Sequence, residues 1–116
     1  MSISRIAGKS RGRCRAVVHN GLVYTVATDT ISSANITDQT RQTLQAIQKS
    51  LEDAGSAKTH ILQATVYLQD MAMKAEMDAV WCTWIGAEEN WPQRACVGAD
   101  LAGSDLVEIV VIAALV

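Results

Sequence analysis

The feature that most constrains this 116-residue chain is its C-terminal stretch, WPQRACVGADLAGSDLVEIVVIAALV from Trp91 to Val116. It reads as two apolar strands joined by a short Gly/Ser/Asp connection. Each strand has one charge set into it, Arg94 in the first and Glu108 in the second. Ile109 to Val116 carries no polar side chain, so the strand that holds Glu108 belongs in a core. A carboxylate there is costly unless it is paired, hydrogen-bonded or protonated. The remaining residues read as a scaffold around these two charges.

Length bounds that scaffold to a single domain, residues 1–116, large enough for a real core. A hydrophobic content of 49% with one proline argues against disorder. The net charge of −2 does not suggest a basic nucleic-acid-binding surface. Charge is uneven, however: Arg5, Lys9, Arg11, Arg13 and Arg15 all precede the first acid, Asp29. This acid-poor start is a weak match to an organelle transit peptide. The strand-like spacing of Ile3 and Ile6 favours mature sequence instead. No secretory core or membrane-spanning apolar run is present. Cys14, Cys82 and Cys96 are odd in number and widely spaced, fitting neither a disulfide framework nor a metal site, so a cytoplasmic location is expected.

Asn20-Gly21 between the β-rich runs 14–18 and 22–27 predicts a two-residue hairpin turn. Residues 28–35 read as a loop, after which Asn35 or Thr37 caps a helix. Its apolar stripe is Leu44, Ile47, Leu51 and Ala54, and Gly55 ends it. Ile61 to Leu68 is a strand. Asp70 opens a second helix with Met73, Met77, Val80, Trp81 and Trp84 on one face, and Gly86 stops it. Residues 87–91 form a loop, and Pro92 introduces the fifth strand. The order is β-β-α-β-α-β-β, with an added N-terminal strand within 2–7. It predicts an α+β domain whose mixed sheet carries both helices on one face. The other face is then uncovered, which self-association would remedy.

Arg94 suits a bidentate grip on a ligand carboxylate, and Glu108 suits water activation or proton relay. A structural ion pair between neighbouring strands explains the same two residues, and from the residues alone is slightly the simpler account. Cys96 shares a sheet face with Arg94 by spacing. It fits a nucleophile beside a cation or a small buried side chain, as Cys14 and Cys82 fit the latter. Trp91, ahead of Pro92, is the candidate pocket wall, whereas Trp81 and Trp84 read as core. His19 and His60 show no metal-ligand spacing.

The stretches HNGLVYTVAT, DQTRQTLQAIQKSLEDAG, KTHILQATVYLQDMA and PQRACVGADLAGSDLVEIVVIAA together resemble the Rid (reactive intermediate deaminase, YjgF-like) family over nearly the whole chain. The resemblance implies a chorismate-mutase-like fold and a homotrimer with clefts between subunits. It also implies hydrolysis of small 2-imino or enamine acids to 2-keto acids and ammonia, without metal or organic cofactor. It casts Arg94 as the carboxylate clamp, Glu108 as the residue that positions water, and Cys96 as a backbone contributor. The substrate is then a small carboxylate-bearing molecule, and neither membrane nor nucleic acid is an expected partner. The chain departs from the family at three positions. Arg13 stands where a Tyr is usual, Val26-Ala27 where Ser-Gly is usual, and Asp78 where a helix Asn is frequent. An Arg13 reaching into the cleft would add positive charge and favour a dicarboxylate. The alternative is a non-catalytic carboxylate-sensing or interaction protein on the same trimer. RNA cleavage is disfavoured by net charge and by the lack of an aromatic-plus-basic sheet pattern.

Overall fold

The computed structural model describes residues 2–29, 31 and 35–116. Local chemistry sets the elements in turn. Strands β1 (Ser4–Ala7), β2 (Cys14–His19) and β3 (Leu22–Ala27) come first. Asn20 and Gly21 close the β2–β3 hairpin at φ 55° and 80°, the left-handed region that this dipeptide tolerates. Part of the expected 28–35 loop, residues 30 and 32–34, lies outside the described residues. Helix α1 (Ile36–Asp53) starts at Asn35, whose side chain accepts from the Asp38 amide at 2.8 Å. It ends at Ala54, with Gly55 at φ 90°.

The later elements are β4 (Ile61–Leu68), α2 (Lys74–Ile85), β5 (Gln93–Gly98) and β6 (Val107–Ala114). Asp70 caps a 3₁₀ turn, Met71–Met73, rather than α2 itself, accepting from the Ala72 amide at 2.9 Å. Another such turn, Glu88–Asn90, interrupts the expected 87–91 loop. Gly86 stops α2 at φ 78°.

The six strands pair in the order β1-β2-β3-β6-β4-β5. Every pairing is antiparallel except β4 with β5. One expectation is corrected here. β5 and β6 are not neighbours, because β4 lies between them. A strand–helix–strand unit needs a parallel partner, so β5 pairs with β4 through α2. β6 then returns on β4's other side, after a connection that passes the end of β4. Gln69, just beyond β4, pins that connection. Its amide donates to Leu106 O at 3.0 Å, and its side chain accepts from the Leu101 amide.

Both helices cover one sheet face. Val107, Ile109, Val111 and Ala113 of β6 point toward them with at most 1% exposure, beside Val23, Ala64, Val66 and Leu68. From α1 the core takes Leu44, Ile47 and Leu51, and from α2 Met77, Trp81 and Ile85. Truncating any one of these three α1 residues to Ala should cost about 2–5 kcal/mol. Among the described residues no helix packs on the opposite face, where Tyr24, Tyr67, Val97, Val110 and Ile112 lie. Tyr24 and Val97 are exposed there. Among the described residues no helix is long and apolar enough to cross a membrane.

Candidate functional site

Strand alternation sends Arg94 and Cys96 of β5 toward the helices, opposite Ala64 and Val66 of β4. β5 is the edge strand, and these two are its half-buried inward residues. Arg94 meets α2 there. Its Nη2 donates to Asp78 Oδ1 at 2.6 Å, and its Nη1 approaches Met77 Sδ at 3.8 Å. The guanidinium carbon lies 5.2 Å from the centre of the Trp81 ring, a cation–π contact. Asp78 is shared, because its Oδ2 accepts from Lys74 Nζ at 2.7 Å, one helical turn earlier. Burial pushes the Asp78 carboxyl up, but hydrogen bonds from Lys74 and Arg94 outweigh it and hold the group below the usual range. Asp78 is therefore a carboxylate at neutral pH.

A cavity of about 310 Å³ opens beside this triad, lined by Asp78, Trp81, Cys82, Trp91, Pro92 and Arg94. Trp91 is 59% exposed and forms an outer wall, its Nε1 held by Gly86 O at 2.8 Å. Cys82 is exposed on α2 rather than buried, because it lies off the Met77–Trp81–Ile85 stripe. Cys14 and Cys96 are half-buried.

Glu108 lies elsewhere. Its strand neighbours Val107 and Ile109 face the core, so Glu108 projects from the opposite, open face, half-buried beside Tyr67 of β4. The core placement expected from its apolar neighbours is corrected by strand parity alone. An ion pair between Arg94 and Glu108 is also ruled out within one chain. β4 separates the strands, the side chains leave opposite faces, and strand spacing puts their Cα atoms roughly 14 Å apart.

The sequence candidates thus fall into two sets. Trp91, Arg94 and Cys96 stand on the helix side at the β5 edge. Glu108 stands on the open face at the end of the sheet where β3 finishes. Val26 is on that same face opposite Val110, and Ala27 pairs with Ile109. Arg13 is exposed and immediately precedes β2, at that same end of the sheet. From β2 to β5 is four strand spacings, about 19 Å, so Arg13 is remote from Arg94 within a chain. A ligand of a few atoms cannot touch both sets in one copy. Sequence reasoning missed Lys74 and Tyr67, and read Asp78 only as a substituted position. The i, i+4 spacing of Lys74 and Asp78 was the available signal for that pair. Among the described residues no group of three His, Cys, Asp or Glu side chains is placed to hold a metal ion.

Comparison with known proteins places this geometry in context. The family model described as Endoribonuclease L-PSP matches residues 11–115. A RutC family protein of Haemophilus ducreyi is 41% identical over 102 residues, covering 84% of this chain and 85% of the relative. The RutC family protein YoaB of Escherichia coli is 35% identical over 116 residues, covering 99% and 100%. Among solved structures, NMB1025 of Neisseria meningitidis, a YjgF family member, superposes with a TM-score of 0.93 at 36% identity. That match covers 100% of this chain and 97% of NMB1025.

Proposed function

This chain belongs to the Endoribonuclease L-PSP family, the YjgF or Rid family, and from that premise we propose that it hydrolyses small 2-imino acids to 2-keto acids and ammonia. The observation that carries the reading is Arg94, a half-buried cation at the mouth of a cavity large enough for a small acid. In this reaction the Arg94 guanidinium holds the substrate carboxylate. Glu108 orients a water and accepts its proton as the oxygen adds to the C=N carbon. The proton passes to the nitrogen, the carbinolamine collapses, and ammonia leaves as the 2-keto acid forms.

Arg94 and Glu108 leave opposite sheet faces, so one cleft draws them from two copies of the chain. The uncovered face bearing Tyr24, Val110 and Ile112 is the surface through which copies associate, as a homotrimer. Each cleft then joins the β5 edge of one copy to the Glu108 end of the next. A second reading is a non-catalytic carboxylate binder on the same assembly. The Arg94–Asp78 bond favours it, because a paired arginine grips a substrate less firmly.

The test is a rate measurement on imines generated in situ by an amino acid oxidase. Wild type accelerates hydrolysis above the spontaneous rate, and Arg94→Ala and Glu108→Gln each abolish the acceleration. Refolding the two variants together at equal amounts restores about a quarter of wild-type activity, the fraction of clefts that random mixing rebuilds. Wild-type rates in both single variants would remove the catalytic reading. Two folded, inactive variants that never complement would overturn the shared cleft.

A further inference from the structure

We propose that Asp78 determines how this site discriminates ligands by charge, acting as an internal carboxylate that occupies Arg94 until a ligand carboxylate displaces it. The proposal rests on Arg94 being the ligand-binding cation.

The geometry supports exchange rather than a permanent structural bond. Asp78 takes Nη2 of Arg94 at 2.6 Å, whereas among the described residues Nη1 has only the thioether of Met77 at 3.8 Å, a weak acceptor. Nη2 has a second hydrogen, but an incoming carboxylate that takes both terminal nitrogens meets the Asp78 oxygen at Nη2 and repels its charge, which favours displacement. The guanidinium stays in place meanwhile, held by its cation–π contact with the Trp81 ring 5.2 Å away. Asp78 would not be left unpaired, since Lys74 holds its other oxygen at 2.7 Å. Lys74 is thus a second seat for the displaced carboxylate. With side-chain exposures of 18% for Arg94 and 29% for Asp78, the exchange takes place where solvent screens charge only in part. Lys74, Arg94 and Asp78 together present one net positive charge. Neutral ligands need not displace Asp78, so it penalises carboxylates selectively.

Binding of pyruvate and 2-oxobutanoate, with pyruvamide as the uncharged control, tests this by calorimetry on the intact oligomer. Asp78→Asn should tighten both oxo acids about tenfold and leave pyruvamide unchanged. Lys74→Met removes the second seat and drives Asp78 onto Arg94, so it should weaken the oxo acids a few-fold. Opposite signs from two partners of one ion triad are not what a purely structural role produces. Arg94→Ala should remove oxo-acid binding and, combined with Asp78→Asn, abolish the gain. If Asp78→Asn folds normally and fails to tighten binding while Arg94→Ala still weakens it, the competition proposal is wrong and Arg94 remains the clamp. If Asp78→Asn does not fold, Lys74→Met decides: oxo-acid affinity unchanged or raised overturns the proposal. Should Arg94→Ala leave affinity unaltered, the ligand-binding reading itself fails, and this inference with it.

Discussion

Two arginine–aspartate–lysine triads occupy well-separated parts of this molecule, and they are built alike. In each, a helix presents Lys and Asp at i, i+4, and a strand supplies the Arg: Lys49–Asp53 with Arg15, and Lys74–Asp78 with Arg94. They differ in how completely the arginine is satisfied. At β1–β2, Cys14 pairs with Ala7 and Ala16 with Ile6, so Arg15 is the extra residue of a bulge that redirects it onto α1. All three of its nitrogens then donate, to Ala7 O at 3.3 Å, Ser50 Oγ at 3.0 Å and Asp53 Oδ2 at 2.7 Å. Among the described residues Arg94 has one oxygen acceptor, Asp78, and it borders a cavity. Arg15 is more exposed than Arg94, 34% against 18%, yet better satisfied. Exposure alone would have ranked the wrong arginine as available. A guanidinium with every nitrogen engaged by an oxygen fastens elements together, whereas one with a terminal nitrogen lacking an oxygen acceptor beside a cavity has donors placed for a ligand.

Truncating each arginine is the strongest way to break this contrast. Arg94→Ala should lower kcat/KM for imine hydrolysis at least about 100-fold, roughly 2.7 kcal/mol of transition-state binding. Its thermal stability should change less, because Asp78 keeps Lys74. Arg15→Ala should do the reverse. It strands Ser50, 5% exposed, and removes a cation from Asp53 at the negative end of α1, for about 1–2 kcal/mol of stability. The rate per folded molecule should not move. An Arg15→Ala protein that is fully folded yet inactive would show that the two triads are not divided between structure and function.

The same contrast explains what was legible in the sequence. Elements fixed by local chemistry could be read directly: the Asn20-Gly21 hairpin, the Asn35 cap, the Gly55 and Gly86 stops, and Ile61–Leu68 as a strand. Arg94 and Glu108 stood out because charges in apolar strands are rare. Their relation to each other was not legible. Which strands neighbour one another depends on long-range pairing, and β4's insertion between β5 and β6 reversed the nearest-neighbour assumption. Parity along β6 could have placed Glu108 on the open face. That needed the knowledge that helices cover the odd-numbered side. Asp78 as Arg94's partner requires α2 and β5 to meet, a contact between elements that no local pattern encodes.

Titration sharpens the comparison at intermediate size. The Asp53 carboxyl is held below its ordinary 3.8 by the Arg15 hydrogen bond first and Lys49 second. Asp78 is lowered too, with its burial opposed by Lys74 and Arg94. A depressed carboxylate contributes stability that is present above its unfolded value and lost as pH falls through its folded one. The stability gaps between wild type and Asp53→Asn or Asp78→Asn should therefore be constant from pH 5 to 8 and close below about 3.8, followed by chemical denaturation across pH. Asp105 has the opposite sign, raised by burial and then by the charge of Asp29. Its penalty appears as pH rises through the raised value, so Asp105→Asn should gain on wild type from pH 3.5 to 7.

The smallest effect separates the two lysines. Lys49 is 73% exposed and its aspartate retains Arg15, so Lys49→Ala should cost less than about 0.5 kcal/mol. Lys74 is 45% exposed and Asp78 retains Arg94, so Lys74→Ala should cost little more. Melting curves would scarcely tell them apart. Oxo-acid affinity should, because removing Lys74 strengthens Asp78's hold on an arginine that has donors to give. Removing Lys49 strengthens Asp53's hold on an arginine already satisfied. Each substitution deletes one positive charge, so a general electrostatic effect would weaken oxo-acid binding in both variants alike. Equal weakening would reduce the second triad to a copy of the first, whereas a loss confined to Lys74→Ala makes exchange at Arg94 the property that divides them.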